Sequence, residues 1–517
     1  MLSNMRAFVG AALVSVAAAP SLIAQASPYL TLDDPRLPLL EHLIARGDVE
    51  DPSPMMRPFR IADAIRVLAA ADTAPERSTG SLIHRLRVEL TPPPGEQWWA
   101  VQARLGGEAY TQKRRDPLHL GGPGTENPYF DVGGWAVFGP IAGGVRPAIQ
   151  PSLIGDPDWP NRAQQNVTTH LIEGYLSGQW KFVTVDFGQL DRNWGPVGLP
   201  GIPLSNVGYE RHALALDLGN RVIHLSAVGV DLRRQRDSLG QSVNRYFFAH
   251  RLSARFSDRV QAGLWETIVI SGVGRTFELP FANPLSPSVL TNSFGIADSG
   301  SNVMIGTDFT WRFSRRATFQ AQLAIDDFWF NKRNQKQDRW GFTLMAYGPL
   351  GNRLGWRAAY TQVSSLALRT FNPQENFTDL GVGIGRDFSD MDQLWAWVQI
   401  PVADRWLVTP EAVFQRQGEG KIDDPYPPLV NGNTVTPMLF IGTVEKTARL
   451  GMSLSGRAGP LDVVGNVGVN HVTNDQNQLG VTANRVVARV LVALRWGRQG
   501  VFRQAGVEGD GGGSSGR

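Results

Sequence analysis

Between Asp191 and Asn206 the chain reads DRNWGPVGLPGIPLSN, which sets a carboxylate, a guanidinium, an indole and an amide in one short segment. Such a set can hold a sugar. The indole of Trp194 would stack on a pyranose face while Asp191, Arg192 and Asn206 bond its hydroxyls. Pro196, Pro200 and Pro203 restrict φ, and Gly195, Gly198 and Gly201 permit sharp bends. The segment therefore reads as a long shaped loop, able either to fold inward as a plug or to stand as a binding surface. Packing of Trp194 beneath the loop, to hold it shut, is the competing reading.

A second candidate is TQKRRDPLHLGGPGTENPYFD, residues 111–131, where Lys113, Arg114, Arg115 and His119 accompany Tyr129 and Phe130. Cations beside aromatics suit an acidic polysaccharide; a solvated loop explains them as well. His224 and Ser226 stand two apart on one strand face, a base and a nucleophile by type, but no orienting Asn or Asp is identifiable from sequence and such a pair is easily matched by chance. The eight His are scattered and Cys is absent, so no metal site, thiol chemistry or cofactor is expected. GVGIGRDFSD carries glycines without the strand-to-helix context of a nucleotide loop.

The elements that must position these residues change along the 517-residue chain. MLSNMR followed by AFVGAALVSVAAA and Ala24-Gln25-Ala26 has the form of a secretory signal, with cleavage expected after Ala26. Beyond it no apolar run is long enough for a membrane helix. Residues 27–90 carry helical spacing: Leu39, Leu40, Leu43 and Ile44 before Gly47, then Ile61, Ile65 and Leu68, then SLIHRLRVEL. The net charge of +3 points to no nucleic-acid partner, and the basic residues are almost all Arg, which also suits carboxylate or phosphate recognition.

From Trp98 onward the period is two. In SNVMIGTDFTWRF, Val303, Ile305, Thr307, Phe309, Trp311 and Phe313 share one face, while Asn302, Met304, Asp308 and Arg312 take the other. Strands are expected near 98–110, 132–138, 144–152, 169–178, 180–187, 210–218, 221–231, 245–256 and 259–270. The rest fall near 301–313, 317–327, 340–348, 353–363, 392–400, 405–415, 443–456, 460–471 and 485–496. That is about eighteen. Tight polar turns alternate with long segments, which is the pattern of an outer-membrane barrel with its sheet closed on itself. By the same alternation Arg104, Glu108, Glu173, Asp308, Arg312 and Asp326 face a wet lumen. The final strand is expected to end at Trp496, with a flexible tail after it. A soluble secreted all-β protein, such as a propeller, is the other architecture that alternation allows.

DRNWGPVGLPGIPLSN resembles the W-G-P and S-N element of the Wzi family of outer-membrane capsule-assembly proteins. The likeness extends to the signal segment, to DPRLPLLEHLIARGDVEDPSPMMRPFRIADAIRVL, to SNVMIGTDFTWRFS and to LGVGIGRDFSDMDQLWAWVQIPVADRW. It spans nearly the whole chain through diffuse motifs; the C-terminal tail and the wording IPLSN depart from the pattern. The resemblance implies an eighteen-stranded barrel with a small helical bundle at its periplasmic end, and a lectin-like role anchoring exported capsular polysaccharide.

The expectation is thus an all-β transmembrane barrel over 91–496, preceded by a signal peptide (1–26) and a periplasmic helical segment (27–90), and followed by a tail (497–517). It is expected to be non-enzymatic, to sit in the outer membrane after insertion by the barrel-assembly machinery, and to bind capsular or extracellular polysaccharide. Its long loops would contact the sugar, and the Trp194 loop and the helices would narrow the lumen from opposite ends. A porin-like channel for sugars or other small solutes is the alternative, and a hydrolase using His224 and Ser226 a third class.

Overall fold

The computed structural model describes residues 25–72, 78–112, 126–151, 156, 159, 167–288, 300–327, 337–428, 430–432 and 435–502. Eighteen antiparallel strands close into one barrel. They are β1 (Gln97–Tyr110), β2 (Glu126–Phe138), β3 (Ile141–Pro151), β4 (Val167–Gln179), β5 (Val183–Gln189), β6 (His212–Gly219), β7 (Ile223–Arg236), β8 (Ser242–Ser257) and β9 (Val260–Val273). The circuit continues through β10 (Ser301–Ser314), β11 (Ala317–Asp327), β12 (Arg339–Leu350), β13 (Leu354–Val363), β14 (Met391–Val402), β15 (Trp406–Gln417), β16 (Glu445–Ala458), β17 (Leu461–Thr473) and β18 (Thr482–Val501). Each strand pairs with its neighbours in sequence, and β18 closes on β1 from Arg489 opposite Tyr110 to Val501 opposite Trp98.

The two faces of the wall separate as the alternation requires. On β11, Gln320, Gln322 and Ala324 are buried inside while Leu323 is exposed outside. Ile305, Trp311 and Phe313 on β10 and Leu494 and Trp496 on β18 are exposed in the same outward sense. So extended an apolar surface needs acyl chains around it, and closure leaves no unpaired edge in them. Inside, buried ion pairs replace water: Arg251 donates two hydrogen bonds to Asp308 (2.8 and 2.7 Å), Arg104 pairs with Asp131 at 2.6 Å and Arg449 with Glu411 at 3.1 Å. Arg104, Glu108, Glu173, Asp308 and Asp326 are all buried in the lumen, and Arg312 is half-buried there.

β18 corrects the expected C-terminal boundary. It runs past Trp496 to Val501 because β1 begins at Gln97 and supplies partners that far. The ring of Phe502 then stacks on Phe138 with centroids 4.6 Å apart. Residues 503–517 of the expected tail lie outside the described residues, as do residues 1–24 of the signal segment.

Ahead of the barrel lie α1 (Leu37–Arg46), α2 (Ile61–Ala71) and α3 (Gly80–Leu90). Pro38 fits the first turn of α1, and Gly47 ends it at φ 74°, where its N–H reaches the Leu43 and Ile44 carbonyls. Leu39, Leu40, Leu43 and Ile44 pack against Ala64, Val67 and Leu68 of α2 and Leu82, Ile83 and Leu86 of α3. The bundle sits against the tight turns. Arg46 bonds the Asn352 carbonyl at 2.7 Å and also the Leu354 carbonyl, and His42 bonds the Arg353 carbonyl at 3.0 Å. Tight turns mark the periplasmic end of such barrels, so the helices close that end.

Candidate functional site

Residues 190–211 leave the outer ends of β5 and β6 and run down into the lumen. Inward-facing glutamines of β11 take up their backbone: Gln320 accepts from Val197 N–H (3.1 Å), and Gln322 accepts from Ile202 N–H (2.8 Å) and donates to the Trp194 carbonyl (2.8 Å). The loop is also tied to itself. Asn193 donates to the Leu199 carbonyl and accepts from Gly201 N–H. Gly201 is required there, because a Cβ would lie 1.9 Å from the Trp194 carbonyl oxygen.

The loop goes deeper than a constriction at one end. Asn193 and Arg57 exchange backbone hydrogen bonds of 2.9 and 3.1 Å. Val197 and Leu199 pack with Ala45 of α1, and Arg357 bridges the Val197 and Glu41 carbonyls at 3.0 Å each. The expected narrowing from opposite ends is therefore a meeting of the two plugs inside the barrel.

This course overturns the assignment of Trp194 as a sugar platform. Its indole is 1% exposed and packed among Ile202, Leu204, Trp265, Val363 and Ile384. The ring packs beneath the loop and locks it. Tyr129 is corrected too. It lies in β2 rather than in a loop, is 5% exposed, and accepts from Arg104 (2.9 Å) while donating to Asp131. Lys113, Arg114, Arg115 and His119 lie outside the described residues.

Above the plug, residues 364–390 and the described residues of 418–444 form one lid. The Asp390 carboxylate accepts from Gly420, Phe440 and Ile441 N–H at 3.0, 2.5 and 2.9 Å, and Arg369 donates to the Asp424 and Pro425 carbonyls. Ser205 joins lid to plug through Ile384 and Gly385, at 2.9 and 2.6 Å.

Beside the lid, half-buried polar and aromatic groups gather at the outer rim. Trp159 meets Tyr209 edge-on at 4.7 Å and His170 at 6.0 Å. Tyr209 donates to Asp156 at 2.8 Å, and burial together with that carboxylate raises the phenol above its ordinary range. His170 bonds Gln150 (2.7 Å), which donates to Glu108 (2.9 Å), which also accepts from Tyr110 (3.0 Å); Arg489 lies over the Tyr110 ring at 5.2 Å. Asp191 enters here: burial and then the neighbouring Glu210 raise its carboxyl well above the usual range. Arg192 instead turns to Asp186 at 3.0 Å, and Asn206 is half-buried without joining the cluster. Of the expected residues that are described, only Asp191 therefore borders this cluster. Asp156, Trp159, His170, Tyr209 and Glu210 escaped the sequence reading; the aromatics flanking the loops, in DPDWPN and VGYE, were the available signal.

Ser226 donates to Asp217 at 2.5 Å, and His224 faces the same carboxylate at 3.5 Å. The hydroxyl is thus spent on an acid rather than offered to the imidazole. Among the described residues, no three His, Asp or Glu side chains converge as a metal site.

No protein-family model matches the chain, and no curated protein matches it in sequence. Among solved structures it is similar to Wzi of Escherichia coli, described as an outer-membrane protein involved in group 1 capsule assembly and a carbohydrate-binding β-barrel. The TM-score is 0.63 at 13% identity, covering 90% of this chain and 99% of that one. Weaker likenesses include OprD of Pseudomonas aeruginosa (TM-score 0.41, 10% identity, 78% and 95% covered) and OccAB4 of Acinetobacter baumannii (0.44, 9%, 78% and 98%). At these identities the likeness to Wzi is one of fold.

Proposed function

We propose that this chain is a non-enzymatic outer-membrane protein that binds exported capsular or extracellular polysaccharide at the cell surface. The observation that carries the reading is the chain of contacts from lid to plug to helices across the lumen, with the Trp159–Tyr209–His170 cluster and its carboxylates left at the outer rim. A wall so filled is poorly made for conducting solutes, whereas aromatic edges beside paired carboxylates and amides suit sugar hydroxyls and ring faces. The carbohydrate-binding character of the similarly folded Wzi supports the same reading.

The test is retention of the source strain's exported polysaccharide by purified protein and by cells. Trp159→Ala with Tyr209→Ala should weaken binding. Aromatic contacts contribute about 0.5–1.5 kcal/mol each, or roughly two- to twelvefold in affinity per ring. Unchanged retention by a variant that keeps its heat-modifiable gel mobility rejects the site. Stable open currents from the wild type in planar bilayers would favour the channel reading instead.

A further inference from the structure

The periplasmic end holds a chamber of about 470 Å³ between the N-terminal segment, the first half of β1 and the end of β18. That size lies in the ordinary range for small-ligand sites. Its floor is polar and incompletely satisfied. Glu173 is 1% exposed; it pairs with Arg146 at 3.3 Å, an arginine that also bonds Asp33 at 2.6 Å, and has the Trp135 indole beside it, but neither contact to its carboxylate has full hydrogen-bond geometry among the described residues. Buried polar groups are ordinarily bonded, so a carboxylate held by an ion pair without full hydrogen bonds, in the wall of a cavity, has acceptor capacity left for a donor that a small side-chain shift would admit.

Trp135 gives the chamber an aromatic wall. Its ring lies on bare backbone: a Cβ at Gly133 would be 2.3 Å from it, and one at Gly144 2.6 Å. The two glycines let the indole lie close against the barrel wall while it remains half-buried and lines the chamber. Around it stand Arg36, paired with Asp34 at 2.7 Å, the buried Arg457, paired with Asp462 at 2.7 Å, and the part-exposed Arg495. Arg495 Nε is buried without a hydrogen-bond acceptor, 3.7 Å from Asp462.

We infer that this chamber is a second saccharide site, open to the periplasm, for a sugar unit bearing a carboxylate. Hydroxyls would donate to Glu173, the ring would lie along Trp135, and the sugar's carboxylate would sit with Arg495. The inference stands on the chamber alone and does not depend on the outer rim. Plug and helices stand between this chamber and the outer rim, so a ligand would reach it from the periplasmic end.

Full-length protein in detergent micelles, titrated calorimetrically with the glucuronic acid–N-acetylglucosamine disaccharide, tests it, with glucose and sodium sulfate as comparators. Glu173→Gln and Arg495→Gln are each expected to weaken disaccharide binding at least tenfold, and Phe313→Ala on the outward face of the wall to leave it unchanged. Arg495 is part-exposed, so its variant decides the matter should Glu173→Gln fail to assemble. No disaccharide binding by the wild type overturns the proposal, as does full binding by Arg495→Gln. Sulfate binding as tightly as the disaccharide shows an anion site and overturns it equally. Loss in Trp159→Ala with full binding in Arg495→Gln transfers the sugar to the outer rim, leaving the surface reading intact and this one refuted.

Discussion

Replacing Gln320 and Gln322 together by Met asks whether two side chains keep the lumen shut. Met preserves length and flexibility, so the wall keeps its volume while losing its amides. Three loop groups then lose their partners inside the barrel: Val197 N–H, Ile202 N–H and the Trp194 carbonyl. A buried polar group left unsatisfied costs about 1–3 kcal/mol, so the three together favour release of the loop by roughly 3–9 kcal/mol. At 1.4 kcal/mol per decade that moves the balance between seated and released loop by about 10² to 10⁶.

The assay is single-molecule conductance in planar bilayers, beside hydrogen exchange at Val197 and Ile202. The wild type should be silent with both amides protected. The double variant should show flickering openings and lose protection at both positions, with strand amides unchanged. A double variant as silent and as protected as the wild type would refute the claim that the glutamines seat the plug. Openings in the wild type itself would refute the plug.

His42 is buried in α1, and burial, then Arg46 and Arg357, depress its pKa from 6.5 to about 3. Between those values the unfolded chain binds the extra proton, so docking of the bundle is fully stable above about pH 6.5 and loses on the order of 4 kcal/mol as pH falls toward 3. Protease protection of residues 27–90, followed from pH 7 to 4, should fall in the wild type and stay flatter in His42→Gln; parallel curves would remove His42 as the cause. On the outward face, Leu323→Arg should cost about 2–4 kcal/mol if that face meets hydrocarbon. Denaturant titration of refolding into lipid vesicles measures this, and an unchanged midpoint would mean the face lies outside the hydrocarbon.

The barrel was legible because its forces are local and repeat. A wet lumen and a greasy exterior impose period two on each strand, so the outward series from Ile305 to Phe313 could be read directly. Tight turns likewise marked the end where the helices sit. The end of β18 was hidden for the converse reason: GRQGV has no apolar alternation, and its strand conformation comes from pairing with Ala100, Val101 and Gln102 far away in sequence. Tyr129 was misread because Pro128 resembles a loop residue, although Tyr129 and Asp131 inward against Phe130 and Val132 outward already keep strand parity.

The Trp194 loop shows where such reading must stop. Its composition foretold a rigid, aromatic-bearing segment, and that is what forms. Whether the indole faces sugar or protein depends on Gln320 and Gln322, more than a hundred residues further along the chain, which look from sequence like ordinary wet-face residues of a strand. An inward strand position earns its role from what descends to meet it, and the loop's own residues carry no mark of that partner. The same long-range logic explains the outer rim. Trp159 and Tyr209 come from separate connections, β3–β4 and β5–β6, and meet because pairing of β4 with β5 and of β5 with β6 sets the two connections side by side at the loop mouth. Sites in such a protein are therefore properties of the closed cylinder, and single-segment motifs will tend to name residues that hold the cylinder's contents in place rather than those that touch a ligand.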